Sequence, residues 1–331
     1  RFLIPELRKL KAGQEIREDG PTWHKSKAGT PTMGGIMFIL GAGVTVFILG
    51  WSFMLEGVFW HLYVYLFALI FGLIGFVDDY RKVRQHQNEG LTARQKFILQ
   101  LAAAVVFLVL MRYEGLLTND LYIPFLNMSF TINWIVYLIF AAFVIVGCVN
   151  AVNLTDGIDG LAASVTFVVM AFFTVAGVLW STYGIQALFP AAMAGGLAAF
   201  FVYNHHPAKV FMGDTGSTFL GFVLATVSIQ GLFKSYAIIS FAVPFLVLGL
   251  PIFDTCFAIL RRLARGQSPM APDRGHIHHR LIDMGFSQKQ AVAVLYVISA
   301  ILGLSAVVLT TGGEAKAMLL LIALCVVAVV A

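Results

Sequence analysis

Charge is scarce in this chain of 331 residues: Asp, Glu, Lys and Arg make up 12% of it, apolar residues make up 59%, and mean hydropathy is +0.86. An ordinary soluble domain carries about 25% charge, so a water-soluble globule and a solvated disordered chain are both excluded. Cysteine is nearly missing. Cys148, Cys256 and Cys325 lie inside apolar stretches with no paired spacing, which excludes a disulfide framework and leaves buried thiols. No stretch reads as a cleavable signal, an internal repeat or a low-complexity tract. The ten-residue alternation of an outer-membrane barrel is lacking as well.

Long apolar runs are what the chain does have. Ten are of spanning length, roughly 33–51, 58–77, 97–111, 134–150, 161–180, 186–203, 217–233, 237–260, 291–310 and 315–331. Lipid offers no partner to an unpaired backbone group, so these runs predict an all-α polytopic membrane bundle forming one integral domain over 1–331. The opening "RFLIPELRKLK" reads as the exit of a further span, so an eleventh helix is expected before it.

The basic residues set the orientation. Taking the gaps alternately, one side holds 1–32, 78–96, 151–160, 204–216 and 261–290, and these contain 19 of the 22 Lys and Arg. That side is cytoplasmic by the positive-inside rule, and the net charge of +5 reflects topology rather than nucleic-acid binding.

Unusual residues collect on that same side, beginning with acids. Asp78, Asp79, Asp156, Asp159 and Asp214 all stand at span termini, where a bundle can join distant loops. Asp156, Asp159 and Asp214 precede spans and suit helix capping. Asp78 and Asp79 follow the run 58–77, where the macrodipole disfavours negative charge, so capping does not account for them. Loops 151–160 and 204–216 hold one basic residue between them against three acids, and the pattern predicts a hard divalent cation bridging carboxylate to phosphate.

Glycine marks three of the same loops. "TPTMGG", "TDGIDG" and "MGDTGS" set Gly beside polar residues at span entrances, where free N–H groups favour phosphate. In "GHIHHR", His276, His278 and His279 stand among Arg261, Arg262, Arg265, Arg274 and Arg280. Zinc would want four ligands, and no cysteine is near, so this cluster suits anionic oxygens such as a diphosphate. A secondary transporter is the competing class. It places its ionisable groups near the midplane, whereas the span middles here are bare apart from Asp254, which lies seven residues before Arg261.

At these residues the sequence resembles the polyprenyl-phosphate N-acetylhexosamine-1-phosphate transferases. "GQEIREDGPTWHKSKAGTPTMGG", "GFVDDYRKV", "GLTARQK", "NAVNLTDGIDGL" and "NHHPAKVFMGDTGS", spanning Gly13 to Ser217, are similar to the phospho-N-acetylmuramoyl-pentapeptide transferase branch. That resemblance implies a Mg²⁺-dependent enzyme of the bacterial cytoplasmic membrane, with its active site on the cytoplasmic face. It would move phospho-MurNAc-pentapeptide from UDP-MurNAc-pentapeptide to undecaprenyl phosphate, giving lipid I and UMP for peptidoglycan synthesis, and hence for cell shape and division. It further implies Asp214 as the magnesium ligand and Asp78 and Asp79 as essential acids, one of them positioning or deprotonating the lipid phosphate. Asn153, Asp156, Gly157 and Asp159 would line the uridine and metal region. Asn204 and Phe211 would flank the uracil, Phe211 by stacking. Lys27, Arg94 and Lys96 would contact phosphates, with His276, His278 and His279 closing over the diphosphate. The last third, with "PDRGHIHHR" and "PIFDT", is closer to the branch that transfers GlcNAc-1-phosphate, which is the alternative donor. Direct attack and a covalent aspartyl route both remain open, and a homodimer paired through apolar faces is an expectation.

Overall fold

The computed structural model of the chain describes residues 3–9, 29–85, 90–123, 128–180, 185–229, 257, 260–266 and 277–312. Among these, helix dominates: α1 (Leu3–Lys9), α2 (Gly35–Leu49), α3 (Trp51–Leu55), α4 (Trp60–Gln85), α5 (Ala93–Tyr113), α6 (Trp134–Thr155), α7 (Leu161–Trp180), α8 (Ile185–Asn204), α9 (Gly213–Ile229), α10 (Ile277–Asp283) and α11 (Gln288–Gly312). Eight of the ten expected spans coincide with α2, α4 to α9 and α11. The runs 237–260 and 315–331 lie outside the described residues, apart from 257 and 260. Four helices are long and apolar enough to cross a membrane: Trp60–Gln85, Ala93–Tyr113, Trp134–Thr155 and Ala187–Asn204. Gly35–Leu49, Leu161–Val175 and Gln288–Leu302 are apolar but shorter.

The outer surface is that of a membrane protein. Leu40, Val44 and Ile48 of α2, Leu66 and Leu73 of α4, and Ile135, Ile139 and Phe143 of α6 all face outward. In water such a belt would be a severe liability, whereas lipid is its natural solvent. The chain is therefore a multi-pass membrane protein.

Helix α9 is the centre of the bundle. Every residue from Thr215 to Ser228 is buried, with α4, α6 and α2 packed around it. This explains how a segment with five Thr and Ser can sit at membrane depth. Ser217, Thr218, Thr226 and Ser228 each return their hydroxyl to a carbonyl one turn back, at 3.1, 2.7, 2.9 and 2.7 Å. Close approach is secured by glycine: a Cβ at Gly75 of α4 would strike the Asp214 carbonyl, and one at Gly221 would meet the Cys148 carbonyl at 3.0 Å. Aromatic rings fill the rest, as where Phe71 stacks on Phe222 with centroids 4.6 Å apart.

Local signals set the helix starts. Thr92 and Gln95 form a reciprocal capping box at the head of α5, with N···O distances of 3.2 and 3.1 Å. Asn133 caps α6 through Ile135 N–H at 2.8 Å.

Two features depart from the sequence reading. Helix α4 does not end with the apolar run at Val77 but continues to Gln85, so Asp78 and Asp79 lie inside it. "DDYRKVRQ" contains good helix formers, and the basic side chains of Lys82 and Arg84 in the last turn complement the dipole. The fold is also not purely helical. Residues β1 (Asp120–Ile123) and β2 (Met128–Thr131) pair antiparallel in the gap between α5 and α6, with Asp120 opposite Thr131 and Ile123 opposite Met128. Those eight residues are rich in aromatic and β-branched types, and four-residue strands are too short to stand out beside the spans.

Candidate active site

The N-terminus of α9 meets the C-terminal end of α4, and three acids converge there. One oxygen from each of Asp78, Asp79 and Asp214 lies within 4.8 Å of the others. Asp78 and Asp79 are buried and Asp214 is partly exposed.

The three acids have different surroundings. Asp79 Oδ1 accepts from Asp214 N–H at 3.1 Å, and Oδ2 accepts from Thr215 N–H at 2.9 Å and Thr215 Oγ1 at 2.7 Å. Asp79 thus caps α9 from a neighbouring helix, meeting the positive end of its dipole. Asp78 Oδ1 accepts from Leu91 N–H at 2.7 Å, holding the turn that leads into α5. Asp214 Oδ1 accepts from Asn153 Nδ2 at 2.8 Å, and the same amide reaches Ser217 Oγ at 2.8 Å. Asn153, from the last turn of α6, therefore orients the Asp214 carboxylate.

Two ammonium groups lie among these carboxylates. Lys82 Nζ is 2.6 Å from Asp78 Oδ2 and 3.2 Å from Asp214 Oδ2. Lys96 Nζ is 2.5 Å from Asp214 Oδ2 and 3.9 Å from Asp78 Oδ2. Burial pushes the Asp214 carboxyl up, but Lys96 and Lys82 outweigh it and hold it well below the usual carboxylate range. The site is therefore built to hold positive charge between Asp78 and Asp214. Carboxylate oxygens are hard donors, so the group Asp78, Asp79 and Asp214 fits a divalent ion such as Mg²⁺.

The glycine-marked segments form the floor beneath this cluster. Phe211 N–H donates to Pro31 O at 2.8 Å, Gly34 N–H to Phe211 O at 2.8 Å, and Gly35 N–H to Met212 O at 3.0 Å. "TPTMGG" and "FMGDTG" are thus laced together by backbone. Gly213 adopts φ +72°, and a Cβ there would crowd Thr32 Oγ1 and Met33 N at 2.8 and 3.0 Å as well as the Asp79 carboxylate. Only glycine lets the chain turn into α9 at this point.

A second polar group lies on the "TDGIDG" turn. Buried Asp159 Oδ2 accepts from Ala208 N–H at 3.1 Å and lies 2.9 Å from His206 Nδ1, tying α7 to the loop after α8. Asp156 is the half-buried residue that closes α6, and Gly157 follows it half-buried in the turn. Asn204 is buried, and its Nδ2 donates to Val210 O at 3.0 Å, so it braces its own loop. Phe211 is partly exposed beside that loop. Arg94 is exposed in the first turn of α5.

Helix α10, which carries the histidine motif, docks against the same turn. Its Ile277, Leu281 and Ile282 pack on Ile158, Leu161 and Val165 together with Ala291, Val292 and Leu295 of α11. His276 and Lys27 lie outside the described residues, as do the side chains of His278 and His279. The sequence reading missed Lys82 and His206. Lys82 carried a usable signal, since it stands four residues after Asp78 and shares its helical face once α4 is extended past Val77.

Comparison with known proteins agrees with this picture. Residues 61–232 match the family model of glycosyl transferase family 4, and residues 27–39 match phospho-N-acetylmuramoyl-pentapeptide-transferase signature 1. The phospho-N-acetylmuramoyl-pentapeptide-transferase of Clostridium acetobutylicum is 39% identical over 315 residues, covering 92% of this chain and 92% of its own. That of Bacillus subtilis is 38% identical over 310 residues, covering 92% and 91%. That of Oceanobacillus iheyensis is 36% identical over 321 residues, covering 94% and 93%. Spans this long take in most of the last third, whose histidine spacing resembles the GlcNAc-1-phosphate branch. The chain, a phosphoglycosyl transferase, belongs to the phospho-N-acetylmuramoyl-pentapeptide-transferase family within glycosyl transferase family 4.

Proposed function

We propose that this enzyme transfers phospho-MurNAc-pentapeptide from UDP-MurNAc-pentapeptide to undecaprenyl phosphate at the cytoplasmic face of the bacterial inner membrane. A phosphate oxygen of the lipid attacks the sugar-linked phosphorus, the P–O bond to UMP breaks, and lipid I remains. The observation that carries this reading is the meeting of Asp78 and Asp214 around two ammonium groups at the rim of the bundle. The name the relatives share supports phospho-MurNAc-pentapeptide as the group transferred, and the uridine nucleotide and lipid acceptor follow from the resemblance of the sequence motifs.

The residues divide the work. Asp79 holds the head of α9 and so fixes where Asp214 points. Asn153 sets the rotation of that carboxylate. Asp214 and Asp78 would hold Mg²⁺, which when bound neutralises the donor diphosphate and the departing UMP. Lys82 and Lys96, released from these carboxylates, would pair with phosphate oxygens and stabilise charge on them. Asp156, Gly157 and Phe211 border the face where the nucleotide would lie, Phe211 stacking on uracil. Arg94, at the exposed edge, and Lys27 would meet phosphates. The histidines of α10, docked beside the "TDGIDG" turn, would close over the diphosphate. Two copies pair through apolar faces in the membrane.

The test is a UMP-release assay with purified protein, undecaprenyl phosphate, Mg²⁺ and either UDP-MurNAc-pentapeptide or UDP-GlcNAc. Release with the first donor is expected, and release with the second alone would move the enzyme to the GlcNAc-1-phosphate branch. Asp214→Asn should abolish turnover while the protein stays folded, and normal turnover by that variant would remove the ion from Asp214.

A further inference from the structure

The outward face of α4 carries a feature that the transfer reaction does not use. Leu66, Ile70, Leu73 and Val77 are exposed and follow one another at intervals of four, three and four residues, forming one continuous stripe along the helix. The same stripe continues into Tyr80, Arg81 and Arg84, all exposed. A groove of about 390 Å³ lies at the junction, lined by Phe76, Val77, Tyr80, Arg81, Arg84 and Gln85. The rings of Phe76 and Tyr80 stack at 6.0 Å with an interplanar angle of 12°, giving the groove an aromatic wall. Among the described residues, no carboxylate forms an ion pair with Arg81 or Arg84.

The depth of these groups defines what they would meet. The apolar run ends at Val77, so Arg81 and Arg84 lie about 6 and about 10 Å beyond it along the axis, at 1.5 Å per residue. That is the layer of lipid head groups, where aromatic rings settle and guanidiniums meet phosphate. Asp78, Asp79 and Lys82 point the other way, into the bundle, so this face is separate from the carboxylate cluster.

We infer that the stripe on α4 is a binding site for an anionic phospholipid of the cytoplasmic leaflet. One acyl chain lies along Leu66, Ile70, Leu73 and Val77, the glycerol backbone rests against Tyr80, and Arg81 and Arg84 hold the phosphate. A planar guanidinium pair suits a phosphodiester of net negative charge better than the phosphodiester of a zwitterionic head group, whose own ammonium competes for the phosphate. The inference rests on the membrane orientation alone and not on the identity of the sugar donor.

The test measures lipid retained by the purified protein, without substrates, after equilibration in nanodiscs of mixed phosphatidylglycerol and phosphatidylcholine. The wild type is expected to enrich phosphatidylglycerol, and the double variant Arg81→Gln/Arg84→Gln to lose that enrichment by about thirtyfold, in line with the electrostatic gain of two basic groups at a membrane surface. Arg81→Lys/Arg84→Lys should retain part of it. Glycerol phosphate, which has the head group and no tails, should fail to compete at equal concentration. Equal retention of both lipids by the wild type would overturn the inference. So would displacement of phosphatidylglycerol by stoichiometric undecaprenyl phosphate, because the groove would then belong to the acceptor. Retention is read independently of UMP release, so failure here leaves the transferase reading intact.

Discussion

Replacing Asp79 by Asn separates two jobs that an essential acid can have. The resemblance implies a role for the loop acids at the lipid phosphate, whereas the geometry gives Asp79 to the head of α9. Its two oxygens receive two N–H groups and one hydroxyl at 3.1, 2.9 and 2.7 Å. Hydrogen bonds to a charged partner contribute about 1.5–3 kcal/mol each, but they are not additive, and burial with the nearby Asp214 pushes the Asp79 carboxyl up to about 7 and offsets part of the gain. Asparagine keeps one acceptor oxygen and turns an amide donor toward a backbone donor. A net loss of about 2 kcal/mol follows, comparable to losing a strong helix cap. The head of α9 also carries Asp214, and a displacement of about 1 Å at a reacting centre costs about 10²-fold in rate. The expectation is therefore a coupled loss: a lower unfolding midpoint in detergent and a kcat reduced by about 10²-fold, with Asp79→Ala worse in both. The measurements are thermal unfolding and UMP release on the same preparations. An unchanged midpoint together with complete loss of turnover would refute the anchoring role and return Asp79 to the chemistry.

Phe211→Ala should raise KM for the nucleotide sugar by about tenfold or more with a smaller change in kcat, since stacking on a base is worth about 1–3 kcal/mol; an unchanged KM would remove the stacking. Gly75→Ala should destabilise the protein by about 1–3 kcal/mol and lower activity, because its Cβ would strike the Asp214 carbonyl and meet Thr218 Oγ1 at 2.6 Å. Wild-type unfolding and turnover in that variant would show that α4 and α9 have slack. Lys82→Met removes the bridging ammonium and leaves Asp78 facing Asp214 with Lys96 alone. Its unfolding midpoint should rise more steeply with added Mg²⁺ than that of the wild type, and a parallel response would place the ion elsewhere.

What was legible in the sequence was what depends on nearby residues. Run length gave eight helices, since spanning is decided within each segment. The strand pair 120–123 and 128–131 was missed because each strand is four residues long and sits where only a turn was expected. The length of α4 was misjudged for a related reason. Apolarity marks where lipid ends, and that is not where the helix ends: the hydrogen-bond ladder continues as long as the residues tolerate it, and here it carries eight more. Lys82 was lost with that misjudgement. The role of Asp79 was out of reach in a different way, because its partners are 135 and 136 residues away and only packing brings them together.

That packing explains why an acid beyond the last apolar turn of a helix is not misplaced. Judged against its own helix, Asp79 sits toward the negative end of the α4 dipole and is disfavoured. Judged against α9, which runs antiparallel to α4 with its N-terminus at the same rim, it sits at the positive end. Gly75, one turn earlier on α4, allows the two backbones to approach until the Asp79 carboxylate reaches the first N–H groups of α9. Small residue, acid and glycine-led helix start are thus one device: the close approach satisfies the donors at the head of a helix buried at membrane depth, and the same contact aims Asp214 at Asp78. Asp79 and Thr215 are buried, so those donors have no water to turn to, and one carboxylate both satisfies them and positions Asp214.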